Sequence, residues 1–201
     1  MNYRTRLSIF VLVFLFVCLG GCAPAHEFTG VVFDDLQPAG DLRGTAHLGT
    51  PFDLADLKGK MVLVFFGYTF CPDVCPMTLA NVAGAMRIIG DEDPKAADSL
   101  AALFVTVDPE RDTVEQLAQY VPAFHPALLG VVVEPSSLEQ VKSAFGVYAA
   151  KSEAAPSAAG YLVDHTAGIY VIDRKGNLLA LFSHDIQADL VAADLKILLK
   201  R

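Results

Sequence analysis

The stretch Lys60-Met-Val-Leu-Val-Phe-Phe-Gly67-Tyr-Thr-Phe-Cys71-Pro-Asp-Val-Cys75-Pro76 is the strongest structural signal in the sequence. Its first part, Lys60–Gly67, is a continuous apolar run that ends in a glycine, a pattern typical of a buried central strand. A short loop with Cys71 follows, and Pro76 suits the first turn of a helix. Apolar residues then recur at helical spacing as far as Gly90. The stretch therefore predicts a buried strand, a cysteine loop and a helix, in that order.

Downstream of this stretch, apolar runs alternate with helical patterns. The sequence predicts two strands, each followed by a helix: Leu100–Val107 and then Thr113–Tyr120, which Thr113 caps, and Leu128–Val133 and then Pro135–Phe145. A hairpin of Gly168–Ile172 with Leu178–Phe182 and a closing helix over Ile186–Lys200 follow. Alternation of buried strands with helices indicates an α/β domain with a largely parallel sheet, to which the late hairpin adds antiparallel strands. Gly30–Lys60 is interpreted as an N-terminal hairpin extension. The expected fold is thioredoxin-like, with a central mixed sheet flanked by helices.

The N-terminus has the pattern of an export signal. Met1–Arg6 contains two arginines and no acidic residue, and Leu7–Leu19 is a 13-residue run that only Ser8 interrupts. The run is short for a membrane-spanning helix, which needs about 20 residues. The sequence Leu19-Gly20-Gly21-Cys22 resembles a bacterial lipobox, in which the chain is cut before a cysteine that is then lipidated. We expect a signal peptide over residues 1–21, a tether over 22–29 and one domain over 30–201.

An uncleaved membrane anchor, with Cys22 as a bystander, is the alternative interpretation of this segment. Both interpretations predict an exported domain that is tethered to a cell-envelope membrane, through lipid in the first case, and faces its extracytoplasmic (periplasmic) side.

The net charge and the cysteine content limit the classes of function that the domain can have. Fifteen Lys and Arg against 23 Asp and Glu give a net charge of −8, which excludes a basic nucleic-acid footprint. Of the four cysteines, Cys18 and Cys22 belong to the signal and its cleavage site. Only Cys71 and Cys75 remain for the domain, and a single close pair is typical of a redox or metal site rather than of a disulfide framework.

The position and spacing of this pair favour metal binding or redox chemistry. The cysteine loop follows the carboxyl end of a strand and leads into a helix N-terminus, whose partial positive charge favours thiolates. On a helix, residues four apart have Cβ atoms about 5–6 Å apart, whereas a disulfide requires about 3.8 Å. A disulfide between Cys71 and Cys75 therefore needs loop geometry or local rearrangement. Two thiolates can converge on one Cu(I) or Zn ion without any such rearrangement, but such a metal site needs a third ligand.

His165 is the best candidate for the third ligand, because it directly precedes a buried strand whose entry loop lies over the cysteine loop in thioredoxin-like folds. Asp164 beside it is placed to orient the ring. The other histidines occupy the tether, loops or the far end of a strand and are less suited: His26, His47, His125 and His184. Met77 and Met86 are interpreted as packing residues.

Three segments resemble the Sco/SenC family of copper-binding proteins: Phe65–Thr78, Val107–Thr113 and Val163–Ala167. The resemblance spans roughly residues 30–201. Thr166 departs slightly from the pattern, standing where many members have Ser, and the Ala149–Gly160 loop is poorer in charge than expected. It implies a thioredoxin-like fold and one copper ion per chain, as Cu(I) or Cu(II), on Cys71, Cys75 and His165. It also implies a role in assembling the CuA centre of cytochrome c oxidase, with the CuA-bearing subunit or another cuproprotein, and other copper chaperones, as partners.

Two functions remain open on sequence alone. One is a metallochaperone that delivers copper without catalytic turnover. The other is a thiol-disulfide oxidoreductase in which Cys71 and Cys75 reduce the cysteines of a cuproprotein target or act in redox signalling. A copper site needs His165, whereas dithiol exchange does not. The chain is not itself a CuA centre, because Leu79 stands where the Cys-x3-Cys-x3-His pattern requires histidine.

Overall fold

The apolar run of the cysteine stretch forms a middle strand of an eight-stranded mixed sheet. The computed structural model describes residues 26–152 and 160–200. The strands are β1 Val31–Pro38, β2 Arg43–Ala46, β3 Pro51–Asp53, β4 Met61–Gly67, β5 Leu100–Thr106, β6 Leu128–Val132, β7 Ala149–Lys151, β8 Val163–His165, β9 Ile169–Ile172 and β10 Asn177–Phe182. The sheet order is β1-β10-β9-β4-β5-β6-β2-β3, and β7 and β8 form a separate two-stranded ribbon.

The centre of the sheet is parallel and its flanks are antiparallel. β4 pairs in parallel with β5, and β5 with β6, whereas β9, β10 and β1 run antiparallel on one side and β2 and β3 on the other. Phe65 and Phe66 of β4 point to opposite faces of the sheet, because side chains alternate along a strand. Phe66 contacts Phe145 of a flanking helix, Phe65 contacts Phe104 on the neighbouring strand, and all seven residues of β4 are buried. Both faces of β4 are thus covered, which explains its continuous apolar sequence.

The helices agree with the predicted pattern. They are α1 Val74–Glu92, α2 Pro94–Asp98, α3 Val114–Tyr120, α4 Pro135–Phe145 and α5 Ala188–Leu198. The predicted cap is confirmed, since the Thr113 side chain accepts a hydrogen bond from the Gln116 backbone N–H at 3.2 Å. The short α2, which begins at Pro94 behind an Asp93 cap, was not predicted. The thioredoxin-like layout of a mixed sheet with flanking helices is confirmed.

The N-terminal segment contains the predicted hairpin. A hairpin is present at β2 and β3, but it joins the edge of the main sheet through β6. β1 lies at the opposite edge and pairs with β10. The hairpin thus extends one edge of the sheet, and β1 extends the other. Local sequence patterns predict strands but not the edge on which a strand will pair.

The N-terminal predictions fall mostly outside the described residues. The signal segment over 1–21 and the lipidated Cys22 lie there. Of the predicted tether, His26 and Thr29 contact Asp194 of α5, at 2.6 Å and 2.8 Å. Within residues 26–152 and 160–200, no helix is long and apolar enough to cross a membrane.

Candidate metal centre

Cys71, Cys75 and His165 come together beside the carboxyl end of β4. Cys71 lies in the loop after β4 and is partly exposed, Cys75 lies in the first turn of α1 and is fully buried, and His165 ends β8. Their ligand atoms, two Sγ and one ring nitrogen, all lie within 4.8 Å of one another. Cys75 Sγ is 3.5 Å from His165 Nε2, and the Cys75 backbone N–H donates to Cys71 Sγ at 3.4 Å. Among the described residues, this is the group of three that could hold a metal ion.

The imidazole of His165 is fixed by its neighbours so that Nε2 faces the thiols. Its Nδ1 lies 3.0 Å from the Thr166 carbonyl oxygen, and because a carbonyl only accepts, Nδ1 must carry a hydrogen. Nε2 is then the nitrogen that is available to a metal. The rings of Tyr68 and Phe65 meet the imidazole edge-on, with centroids 5.8 Å and 6.2 Å away.

The orienting role predicted for Asp164 belongs instead to the Thr166 carbonyl. Asp164 pairs with Ala150 in the β7–β8 ribbon and is exposed. Because successive side chains on a strand point to opposite faces, its carboxylate and the His165 ring diverge. Sequence adjacency suggested the contact, and the short strand at this position prevents it.

The two cysteines differ strongly in acidity. The hydrogen bond from the Cys75 thiol is the largest effect on Cys71 and lowers its pKa to about 3, against the opposing effect of burial. The hydrogen bond to Cys71 and burial raise the pKa of Cys75 well above its usual range. In the metal-free protein the pair therefore carries one negative charge: Cys71 is a thiolate and Cys75 keeps its proton. A metal cation that binds both sulfur atoms displaces the proton of Cys75.

Asp112 anchors the cysteine loop through hydrogen bonds to Thr69. Its fully buried carboxylate accepts hydrogen bonds from the Thr69 backbone N–H at 2.9 Å, the Thr69 hydroxyl at 2.6 Å and the Thr106 hydroxyl at 2.7 Å. Burial raises the pKa of Asp112. The sequence motif Val107–Thr113 contained this residue, but no role was predicted for it. The contact joins residues 43 positions apart, which no local pattern reveals.

The remaining histidines lie elsewhere. His26 contacts Asp194, the buried His47 accepts from the Gly130 N–H at 3.0 Å, and His125 accepts from the Ala127 N–H. The backbone of His184 accepts from Thr78 on α1.

One of the two methionine predictions is wrong. Met86 is buried as predicted, but Met77 is 41% exposed. Two positions beyond the buried Cys75 on the same helix, its side chain points to solvent rather than into the core.

The fold and the site define a class of protein: a thioredoxin-like domain that presents two thiols and an imidazole at one edge, suited to binding a soft metal or to thiol chemistry. Comparison with known proteins names the family. The family model described as SCO1/SenC matches residues 36–200, which is most of the chain. The chain belongs to the SCO1/SenC family.

Relatives and solved structures agree with this assignment. The SCO2-like protein of Rickettsia prowazekii is 31% identical over 177 residues, which cover 87% of this chain and 84% of that protein. The solution structures of apo Sco1 from Thermus thermophilus match with a TM-score of 0.76 and 38% identity, covering 88% of this chain and 99% of theirs. The copper-bound ScoI of Bradyrhizobium japonicum matches with a TM-score of 0.71 and 38% identity, covering 80% and 99%.

Mitochondrial relatives are longer than this chain. The SCO1 homolog 1 of Arabidopsis thaliana is 34% identical over 161 residues, which cover 74% of this chain but 47% of that protein. The chain thus spans about half the length of such relatives.

Proposed function

We propose that this protein is a membrane-tethered copper chaperone that binds one copper ion through Cys71, Cys75 and His165 and delivers it to the CuA centre of cytochrome c oxidase. The observation that carries the proposal is the convergence of two sulfur atoms and one imidazole nitrogen within 4.8 Å of one another. The oxidase, as the destination, follows from the family resemblance. The lipid tether rests on the sequence around Cys22.

The donor set suits copper. Soft thiolates select Cu(I), Zn or iron–sulfur clusters, and imidazole suits both Cu and Zn. The number of donors does not separate the two metals, because a catalytic Zn site can also use two cysteines and one histidine. ScoI from Bradyrhizobium japonicum, 38% identical to this chain, was solved with copper bound. The copper-bound relative therefore favours copper over zinc as the cargo.

The exposure of the ligands suits transfer rather than permanent storage. Cys75 is fully buried, while Cys71 is only partly covered and lies beside the exposed Phe70. An acceptor's soft ligand can therefore approach the ion from the side of Cys71 while Cys75 and His165 still hold it. The ion then passes by stepwise ligand exchange without leaving as a free cation.

The asymmetric cysteine pair supports a second candidate, a thiol-disulfide oxidoreductase. The Cys71 thiolate attacks a target disulfide, forms a mixed disulfide and releases one target thiolate. Cys75, once it loses its proton, attacks the Cys71 sulfur, closes the Cys71–Cys75 disulfide and releases the second target thiolate. Two electrons pass to the target. The lowered pKa of Cys71 and its partial exposure favour it as the attacking group.

His165→Ala separates the two functions. Changes to residues that merely support a metal ligand typically cost about 10–100-fold in metal affinity, so loss of the imidazole itself should cost at least that. Dithiol exchange depends on Cys71 and Cys75 and should change only modestly. We expect His165→Ala to retain copper poorly and to fail in transfer to an apo CuA subunit, while it still reduces a model disulfide. Both assays are run on the same preparation, with Cys71→Ala as the variant that should fail in both.

The corresponding test in cells follows oxidase assembly. Assembly that proceeds normally with His165→Ala but fails with Cys71→Ala would contradict the chaperone proposal and favour the oxidoreductase.

A further inference from the structure

The element that carries His165 is separate from the sheet that carries the cysteines. Within the described part of the chain, β7 and β8 pair with each other and with no other strand, through Ala149 with His165 and Lys151 with Val163. An isolated two-stranded ribbon is at best marginally stable in water. The position of His165 relative to Cys71 and Cys75 therefore depends on the side chains that fasten the ribbon to the body of the domain.

A cluster of three residues, Asp108, Arg111 and Tyr161, fastens the start of β8. The Arg111 guanidinium lies 3.6 Å from the centre of the Tyr161 ring and donates to the Tyr161 carbonyl at 2.9 Å. Arg111 Nε donates to Asp108 at 2.6 Å, and the Tyr161 hydroxyl donates to the same carboxylate at 2.7 Å. The Asp108 side chain is 3% exposed and that of Arg111 16%, so these charge-assisted bonds are largely shielded from water. We call these three residues the Arg111 clasp.

The Arg111 clasp also reaches the cysteine loop. The Arg111 guanidinium lies 4.9 Å from the centre of the Phe70 ring and 5.7 Å from that of Tyr68, and Phe70 directly precedes Cys71. Tyr68 in turn accepts the Val163 N–H of β8 at 3.2 Å. One guanidinium thus contacts both halves of the metal site, the loop with Cys71 and the ribbon with His165.

Other contacts hold different parts of the ribbon. The buried Lys142 donates to the Ala149 carbonyl of β7 at 3.2 Å, and Lys151 pairs with Glu110 at 2.7 Å on the surface. Lys142 acts at β7, whereas Lys151, itself in β7, also lies 4.5 Å from the centre of the Tyr161 ring. On the side of β8, the shielded contacts are that of the Tyr68 hydroxyl with the Val163 N–H and that of Arg111 with Tyr161, four residues before His165.

On this basis we propose that the Arg111 clasp positions His165 beside the two cysteines and thereby slows the release of copper. Asp108, Arg111 and Tyr161 are positioning residues that act through His165, and the inference rests on the proposed copper function. Burial, together with the hydrogen bond to Asp108, raises the pKa of Tyr161 to about 12, so its hydroxyl stays a donor at neutral pH.

Tyr161→Phe is the informative variant, because it removes the hydrogen bond to Asp108, together with the longer one to Glu110 at 3.4 Å, and keeps the ring against Arg111. The reduced full chain is loaded with Cu(I), and release to a Cu(I)-selective chelator is timed. We expect release about tenfold faster than in the wild type, the change that corresponds to one hydrogen bond to a charged group. Tyr148→Phe is the matched control, since the Tyr148 ring is 64% exposed and should leave release unchanged.

A double variant tests whether the clasp acts through His165. If it does, Tyr161→Phe combined with His165→Ala releases copper no faster than His165→Ala alone. Multiplied effects would overturn the proposal, because the clasp would then act on the thiolates or on general stability. Arg111→Lys keeps the charge but loses the planar stack on Tyr161. If Tyr161→Phe folds poorly, Arg111→Lys replaces it in the same comparison with His165→Ala.

A metal-free measurement separates this inference from the proposed function. The Thr166 amide donates to the Tyr148 carbonyl at the end of the ribbon, at 3.0 Å. Tyr161→Phe should speed hydrogen exchange at Thr166 about tenfold while amides of β4 keep their protection. Unchanged exchange and unchanged release would overturn the clasp and leave the copper function standing. A wild-type protein that binds no copper would overturn both proposals, whatever the exchange rates.

Discussion

Gly67, the last residue of β4, shows how closely the site is packed at the level of single atoms. A Cβ at this position would lie 2.8 Å from Cys75 Sγ, 2.9 Å from the Phe104 ring and 3.0 Å from the Phe65 ring. Only a residue without a side chain allows Cys75 to sit directly against the strand end. The glycine that closes the apolar run in the sequence is thus part of the metal site.

Gly67→Ala should therefore damage both stability and metal binding. Overpacking of this kind typically costs about 1–3 kcal/mol, and the displaced Cys75 sulfur should bind copper more weakly. Urea denaturation and copper titration measure the two effects. Gly90→Ala is the control, because a Cβ at position 90 would lie 3.9 Å from its nearest neighbour, the Ala97 Cβ. Since alanine also favours a helix, the free energy of unfolding should rise by about 0.4–1 kcal/mol. Equal stability of the two variants would contradict the packing at Gly67.

Cys71 should react as a thiolate over a wide pH range. Its pKa is lowered to about 3, so the charged form is already present above that pH and does not increase further toward neutrality. We expect alkylation at Cys71 of the reduced, metal-free protein to keep a nearly constant rate from about pH 5 to about pH 8. The alkylation rate of an ordinary thiol, with a pKa of about 8.5, falls about tenfold for each unit by which the pH is lowered below that pKa. Peptide mapping identifies the labelled cysteine, and the urea-unfolded chain is the control. A tenfold fall per unit in the folded protein would contradict the lowered pKa.

At the scale of elements, α5 holds the start of the domain in place. Asp194, whose side chain is 1% exposed, accepts from His26 at 2.6 Å and from the backbone N–H groups of Thr29 and Gly30 at 2.8 Å and 3.3 Å. These bonds fix the chain just before β1 enters the sheet edge. They also define where the predicted tether would leave the folded domain.

Asp194→Ala should release this segment. It leaves backbone donors without their acceptor, at a cost of about 1–3 kcal/mol. Urea denaturation gives the cost, and limited proteolysis should show new cleavage near Thr29. Asp189→Ala on the same helix, where the side chain is exposed, should cost less than about 1 kcal/mol. Matching losses in the two variants would argue against a role for the buried contact.

How far the sequence predicted these elements depends on the range of the interactions that form them. β4, α1 and α4 follow from local periodicity, and the structure places all three within about two residues of the expected bounds. The pairing of β1 with β10 and the β7–β8 ribbon arise from contacts between distant segments. The chemical types of Cys71, Cys75 and His165 and their order along the expected fold were enough to suggest that they meet. The supports at Asp112 and Arg111 join residues 43 to 53 positions apart and leave no local signal.

At the scale of the whole molecule, the proposal places the domain at a membrane through Cys22. Cys22→Ser should prevent lipidation, so the variant should accumulate as unprocessed precursor or leave the membrane fraction. Mass spectrometry of the wild-type protein should find an acylated N-terminal Cys22. A free amino terminus further along the chain would contradict the lipid anchor without touching the metal site.

Redox state should control whether the molecule can carry copper at all. Both cysteines are free in the structure, and both sulfur atoms are needed as thiolates for the proposed site. A Cys71–Cys75 disulfide offers neither. The reduction of Cys71 and Cys75 is therefore expected to precede copper loading, whichever partner supplies the electrons.

Copper stoichiometry with X-ray absorption of the bound ion tests the central claim most directly. The reduced wild-type protein should bind one copper per chain with two sulfur neighbours and one imidazole nitrogen. His165→Ala should lose the nitrogen and hold the ion at least tenfold more weakly, and the disulfide form should bind little or none. Tight binding by the oxidised protein, or an unchanged copper environment in His165→Ala, would contradict the assignment of Cys71, Cys75 and His165 as the copper ligands.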